Sequence, residues 1–134
     1  MATEKYFPTI EAIEKASEVL GEILDPTPFM KNNNLSDIYE ANVYLKREDL
    51  QIVRSYKIRG AYNMIRTLEP ERLQKGIVCA SAGNHAQGVA FSCNKLKIMG
   101  SIFMPTTTPK QKIEQVRMFG KEFIEIVLTG DTFD

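Results

Sequence analysis

The chain has 134 residues, of which 43% are hydrophobic, and its 17 lysines and arginines balance its 17 aspartates and glutamates. This length suits one domain with its own core and is too short for a (β/α)₈ barrel. A net charge of zero gives no general attraction to nucleic acid or an anionic membrane, and no apolar run is long enough to cross a bilayer. Because the amino terminus lacks the basic start and apolar block of a secretory signal, we expect a cytoplasmic protein.

The first third of the chain predicts helices and a strand separated by irregular segments. Apolar residues recur every three to four positions over residues 9–24, which predicts an amphipathic helix with Thr9 as its cap. Residues 25–28 break this helix. A short helix is predicted over residues 35–39, and alternation over residues 42–47 predicts a strand. The charged residues that follow, 47–49, are expected to face water.

From Ser55 onward, predicted helices and strands alternate regularly. The helices span residues 55–68, 84–96 and 108–120, and the strands span residues 76–80, 101–104 and 123–128. This alternation predicts right-handed βαβ units around a parallel sheet. The expected fold class is therefore α/β, an open parallel sheet with helices on both faces. Asp131 and Thr132 can cap a further helix, so the sequence also predicts a truncated domain.

The segment from Ser55 to Ala61 (SYKIRGA) contains the first candidate for chemistry. With Ser55 as the cap, Lys57 falls in the first helical turn, where the positive end of the helix dipole disfavours an ammonium. A lysine that loses its proton more readily is a better Schiff-base former and proton shuttle. The alternative is a solvated lysine at an unfavourable place, which costs little enough to be tolerated without a function.

The second candidate, Ser81 to Gly88 (SAGNHAQG), follows a predicted strand directly. Small residues there lead into a helix whose free N–H groups form an anion site for a carboxylate or phosphate. That site lies at the carboxyl edge of the sheet, where open α/β folds bind ligands. The alternative is a tight turn with Asn84 as a cap. Because the segment is not GxGxxG, a dinucleotide site is disfavoured.

Metal ligation is not expected from the cysteines or the histidine. Cys79 and Cys93 lie 14 positions apart without a CxxC pattern, and His85 is the only histidine. This spacing predicts neither a zinc site nor a disulfide framework, and small buried thiols are the expected role of both cysteines.

Taken together, the two motifs resemble the pyridoxal-phosphate enzymes of the tryptophan synthase β-subunit fold type. SYKIRGAYN carries the lysine, and SAGNHAQGVA begins 24 residues after it. More narrowly, the chain is similar to threonine ammonia-lyases, with further likeness at residues 27–29, 44–51, 104–120 and 128–134. The AGNHAQG form favours the threonine enzymes over serine racemase relatives. Tyr56 departs from the phenylalanine that the family commonly has, but a flat ring is kept.

The resemblance implies a role for each matching residue. Lys57 would hold pyridoxal phosphate covalently and then act as the base on the substrate's α-carbon, and Tyr56 and Asn84 would contact the cofactor. The substrate carboxylate would be held by four residues of the second motif: Ser81, Gly83, Asn84 and His85. The implied reaction is the deamination of L-threonine to 2-oxobutanoate and ammonia, as in isoleucine biosynthesis.

The resemblance also implies that the site is incomplete. Residues 1–54 would belong to a larger catalytic domain and residues 55–134 to a small α/β domain, and the family's glycine-rich phosphate loop is missing. We therefore expect an amino-terminal piece of a homo-oligomeric parent that alone forms little or no stable Schiff base with the cofactor and has negligible turnover. Three alternatives stay open: a catabolic dehydratase that also acts on serine, a non-catalytic module that binds small carboxylates, and a fragment that pairs with a separately encoded carboxy-terminal part.

Overall fold

A computed structural model describes residues 7–132. Its helices are α1 (Ile10–Gly21), α2 (Asn33–Ile38), α3 (Lys57–Arg66), α4 (Pro70–Leu73), α5 (Asn84–Leu96) and α6 (Lys110–Gly120). Its strands are β1 (Phe29–Lys31), β2 (Tyr44–Lys46), β3 (Ile77–Ala80), β4 (Gly100–Met104) and β5 (Ile124–Leu128), and short 3-10 turns span Glu48–Leu50 and Lys121–Phe123. No helix among these residues is long and apolar enough to cross a membrane.

The strands form two separate sheets. β1 and β2 pair antiparallel, with Phe29 opposite Lys46, and the Phe29 and Tyr44 rings stack with their centroids 5.2 Å apart. β3, β4 and β5 form a parallel sheet in that order, with Ile77 opposite Gly100 and Gly100 opposite Ile124. The predicted α/β class with an open parallel sheet is confirmed.

The main core lies against one face of the parallel sheet. The two crossovers, through α5 and α6, step in the same direction across the sheet, so right-handed connections place both helices on the same face. On that face Cys79, Ile102 and Met104 are buried against residues of α3, α5 and α6. Val78, which points to the opposite face, is 74% exposed. The described residues therefore place α5 and α6 on one face of the sheet, where the sequence predicted helices on both faces.

Several element boundaries differ from the predictions. Thr9 does cap α1, because its Oγ1 accepts a bond of 3.2 Å from the Ala12 N–H. Helix α3, in contrast, begins at Lys57 after Tyr56, and Ser55 Oγ accepts only a long bond of 3.4 Å from the Lys57 N–H. Helix α6 begins at Lys110 after Pro109, one residue later than a Thr108 cap requires. Strand β1 and helix α4 were not predicted.

Both cysteines are free and buried, as predicted. Burial raises the pKa of each thiol, and that of Cys93, which lies beside Cys79, rises to about 11. High thiol pKa values make both side chains poor nucleophiles, so they serve as small apolar core residues.

Candidate active site

Lys57 is the first residue of α3, and its side chain is exposed in a cavity of about 410 Å³. The cavity is lined by residues of two helices and the residue before α3: Tyr56, Lys57, Gly60, Ala61 and His85. Among residues 7–132, neither a hydrogen bond nor an ion pair engages the Lys57 amine. The amine is therefore free to react with a molecule in the cavity.

The other side of this site is the start of α5. Gly83 is the N-cap and offers no side-chain cap, and the first intrahelical bond runs 3.2 Å from the Gln87 N–H to the Gly83 carbonyl. The N–H groups of residues 84–86 precede that bond and have no partner within the helix. Asn84 and His85 are exposed there. Free amides at the positive end of the helix dipole suit an anionic group.

The loop before α5 folds back on itself. Ser81 is half-buried, and its Oγ accepts a bond of 3.4 Å from the Gly83 N–H. The structure thus places Tyr56, Lys57 and His85 around one cavity. Ser81, Gly83 and Asn84 do not line the cavity. They are close neighbours of His85 in the chain, in the loop before α5 and at its first residue. The cofactor and substrate contacts expected of these residues stay predictions.

Gly88 sets the separation between the two helices that form the site. A Cβ atom at this position would lie 3.2 Å from the Ile58 Cα and 3.3 Å from the Ile58 N. Both neighbours are backbone atoms of the first turn of α3, so they cannot move away as the end of a side chain would. Glycine at this position therefore lets α5 approach the residue that follows Lys57.

Glu48 corrects our expectation that the charged run at residues 47–49 faces water. Arg47 and Asp49 pair with each other, and their side chains are 38% and 58% exposed. The Glu48 side chain is only 16% exposed and binds Arg59 of α3 with two hydrogen bonds of 2.7 and 2.8 Å. These bonds hold the pKa of Glu48 below its usual value. No sequence pattern indicates this pair, because its members are 11 positions apart across an irregular segment.

Metal ligands are not grouped in this site. Over the described range, residues 7–132, no three histidine, cysteine, aspartate or glutamate side chains are arranged to hold a metal ion. The described part of the site offers an amine, a set of backbone amides and polar side chains.

Comparison with known proteins identifies the family of the chain. Residues 22–134 match the family model described as pyridoxal-phosphate dependent enzyme. The biosynthetic L-threonine dehydratase of Halalkalibacterium halodurans is 61% identical over 125 residues, which is 93% of this chain and 30% of that protein. The biosynthetic L-threonine dehydratase of Bacillus subtilis is 58% identical, over 93% of this chain and 30% of that protein. The chain thus spans about a third of the length of these relatives.

Solved structures agree. Threonine deaminase isoform 2 from Solanum lycopersicum superimposes with a TM-score of 0.79 at 41% identity, over 98% of this chain and 39% of that one. Maize serine racemase superimposes with a TM-score of 0.86 at 30% identity, over 96% of this chain and 38% of that one. The free lysine, the helix start facing it and these matches lead to one conclusion: the chain belongs to the family of pyridoxal-phosphate dependent enzymes.

Proposed function

We propose that this chain supplies the lysine-bearing part of an active site that deaminates L-threonine to 2-oxobutanoate and ammonia with pyridoxal phosphate. One observation carries the proposal: the unengaged amine of Lys57 shares a cavity with His85 at the start of α5. It is supported by the 61% identity to a biosynthetic L-threonine dehydratase, which favours the threonine reaction over a catabolic dehydratase and a binding module.

The residues present fit the cofactor. The cavity of about 410 Å³ falls in the range of about 300–1,000 Å³ that small ligands occupy. Lys57 offers a primary amine to the aldehyde, the exposed Tyr56 ring borders the cavity, and Asn84 offers an amide that donates and accepts. When bound, pyridoxal phosphate supplies an electron sink for the charge left at the substrate's α-carbon.

Residues of this chain would then transfer the proton and bind the substrate carboxylate. Lys57 would hold the cofactor through its amine and, with that amine free, would take the proton from the substrate's α-carbon. Backbone amides at the start of α5 hold the substrate carboxylate, together with Ser81, Gly83, Asn84 and His85. The proton that Lys57 takes up would then be available to the β-hydroxyl, which would leave as water, and hydrolysis of the released enamine would give 2-oxobutanoate and ammonia.

The remaining part of the site is proposed to lie outside the segment that matches the relatives. All eight glycines of the chain are isolated from one another, so no glycine cluster is present to hold the cofactor phosphate. We therefore assign residues 1–54 to a larger catalytic domain and residues 55–134 to a small α/β domain. A homo-oligomeric parent and a cytoplasmic location complete the proposal.

A chimeric enzyme tests the proposal. Residues 7–132 would replace the matching segment of the Bacillus subtilis L-threonine dehydratase, and 2-oxobutanoate formation from L-threonine would be measured with added pyridoxal phosphate. We expect the chimera to be active, to prefer L-threonine to L-serine, and to lose turnover with Lys57→Ala. A preference for L-serine would support the catabolic alternative, and activity that survives Lys57→Ala would contradict the proposal.

The unmodified 134-residue chain offers a second test. We expect negligible turnover from it, because the phosphate-binding part of the site is missing. Calorimetry with amino acids and no cofactor separates the binding-module alternative: affinity that survives Lys57→Ala would support that module instead. Robust 2-oxobutanoate production by the chain alone would show that the site is complete without further residues.

A further inference from the structure

The contact between Glu48 and Arg59 joins the amino-terminal segment to the helix that carries Lys57. Arg59 Nε donates to Glu48 Oε2 at 2.8 Å, and Arg59 Nη2 donates to Glu48 Oε1 at 2.7 Å. Two parallel bonds between a planar guanidinium and a carboxylate fix the direction as well as the distance of the contact. Packing of Ile58, Ala61 and Ile65 in the core already holds the helix as a whole, so the pair adds a directional restraint on its first turn.

Glu48 is itself held in place by residues near β1 and β2. The Thr27 hydroxyl donates to Glu48 Oε1 at 2.6 Å, and Lys46 Nζ donates to the Thr27 carbonyl at 2.6 Å. Thr27 is buried. The carboxylate is therefore a fixed point rather than a mobile surface group, and the position of Arg59 follows from it.

The first turn of α3 is positively charged, although negative charge is favoured at the start of a helix. Its first turn contains Lys57 and Arg59 and no acidic residue, although the positive end of a helix dipole disfavours cations. Glu48 supplies from outside the helix the negative charge that the first turn lacks. Arg59 is thereby held on the Glu48 side, away from the cavity that Lys57 and His85 line.

Lys57 and Arg59 are two residues apart, so on a helix of 3.6 residues per turn their side chains leave the axis about 200° apart. We propose that Glu48 and Arg59 are positioning residues for Lys57: by restraining the first turn of α3, they direct the Lys57 amine towards the start of α5. Gly88 sets the distance between the two helices, and the Glu48–Arg59 pair holds the orientation of the turn that carries Lys57. The inference rests on the proposed function for its purpose, but its geometry can be tested without the cofactor.

The direct test uses the 134-residue chain and nuclear magnetic resonance. Reductive methylation with ¹³C-formaldehyde places a methyl probe on each lysine, and Lys57→Arg identifies the Lys57 signal. We expect Glu48→Gln and Arg59→Lys each to move and narrow that signal, because both remove the two-bond contact and let the side chain sample more orientations. Arg59→Lys keeps the charge, so a purely electrostatic role predicts no change for it.

Asp49→Asn is the matched control, since it neutralises the neighbouring carboxylate, whose partner Arg47 is not on α3. Circular dichroism and thermal unfolding would confirm that every variant is folded under the conditions of the comparison. A Lys57 signal that stays unchanged in both Glu48→Gln and Arg59→Lys would overturn the inference. An equal change in Asp49→Asn would overturn it too, because that would show a nonspecific charge effect.

A second readout separates this inference from the proposed function. Pyridoxal phosphate is added, adducts are trapped with borohydride, and mass spectrometry gives the ratio of Lys57 adduct to adduct at Lys110 on exposed α6 surface. Because small misplacements of a reacting group have large effects on rate, we expect Glu48→Gln and Arg59→Lys to lower the ratio by about three-fold or more. If the original chain shows no preference for Lys57, the proposed function fails, and the methyl signals alone decide the positioning role.

Discussion

Helices α1 and α5 both carry apolar residues at helical spacing, yet they are buried to very different extents. In α5 every residue from 86 to 93 is buried, between α3, α6 and the parallel sheet. In α1 no residue is buried, and Ile10 and Ile13 are 70% and 57% exposed. Hydrophobic spacing therefore predicts that a helix forms, but its burial depends on whether another surface packs against it.

The candidate site lies across these two regions. The α/β region provides Lys57, His85 and the close approach at Gly88, whereas the amino-terminal region provides Glu48. We infer that the packing of the α/β region provides most of the stability, while the amino-terminal region orients the lysine. Each of the following changes tests one side of that division.

The largest effect is expected in the core of the sheet. Ile102 of β4 is 0% exposed, so Ile102→Ala leaves a cavity and should lower the free energy of unfolding by about 2–5 kcal/mol. Ile13→Ala in α1 is the matched control, and because that side chain is 57% exposed we expect a change within about 0.5 kcal/mol. Urea unfolding followed by circular dichroism measures both. Equal losses would contradict the contrast between α1 and the core.

Gly88→Ala should have the next largest effect. The added Cβ meets the Ile58 backbone at 3.2 Å, so the helices must separate, at a cost of about 1–3 kcal/mol. Gly60→Ala is the control within α3: its Cβ would meet nothing within 4 Å, and replacing a helical glycine should stabilise by about 0.5–1 kcal/mol. If thermal unfolding shows that both variants are stabilised or that both are destabilised, the close approach of α3 and α5 is not the reason for glycine at position 88.

Glu48→Gln should reduce stability in a pH-dependent way. The Arg59 hydrogen bonds hold the pKa of Glu48 below its usual value, so the folded-state pKa lies below that of the unfolded chain. The stabilisation is therefore present above the unfolded pKa of about 4.3 and is lost as the pH falls through the folded pKa. At neutral pH we expect Glu48→Gln to cost about 1–2 kcal/mol. Unfolding measured at neutral and acidic pH should show that the free energies of unfolding of the original chain and of Glu48→Gln become equal at acidic pH. A difference that stays the same at both pH values would contradict this origin.

Lys57→Ala should have the smallest effect on the fold. The amine has no partner among residues 7–132, and removing a cation from the first turn of α3 should stabilise by at most about 0.3–1 kcal/mol. Thermal unfolding of this variant, with Arg66→Ala at the other end of α3 as its control, measures the difference. A large loss of stability would show that Lys57 holds the fold together instead of serving the site.

The sequence predicted the regular half of the molecule well. The parallel strands and α5 follow from periodicity and from small residues at a strand end, and the candidate lysine, whose role stays a prediction, follows from a specific pair of motifs. Strand β1 escaped prediction because it is only three residues long, and its pairing with β2 is a contact between distant positions. The helix starts at Lys57 and Lys110 were misplaced by one or two residues, since a suitable cap residue does not ensure that its side chain caps.

Glu48 shows the limit of charge patterns. Within one short run, Arg47 and Asp49 pair at the surface while Glu48 turns inward to Arg59 and Thr27. Neighbouring charged residues look alike in sequence, and only the tertiary position of α3 decides which of them is buried. The half of the site that depends on local motifs was thus predictable, and the half that depends on this long-range contact was not.

The most direct test of the central claim is a map of where pyridoxal phosphate reacts on the 134-residue chain itself. The chain contains eleven lysines. Borohydride traps even a short-lived Schiff base, so peptide mass spectrometry reports the adduct at each lysine without requiring a stable complex with the cofactor. We expect Lys57 to carry most of the adduct, since its unengaged amine shares a cavity with the start of α5 at His85. An adduct spread evenly over the exposed lysines would contradict the assignment of Lys57 as the lysine that holds the cofactor.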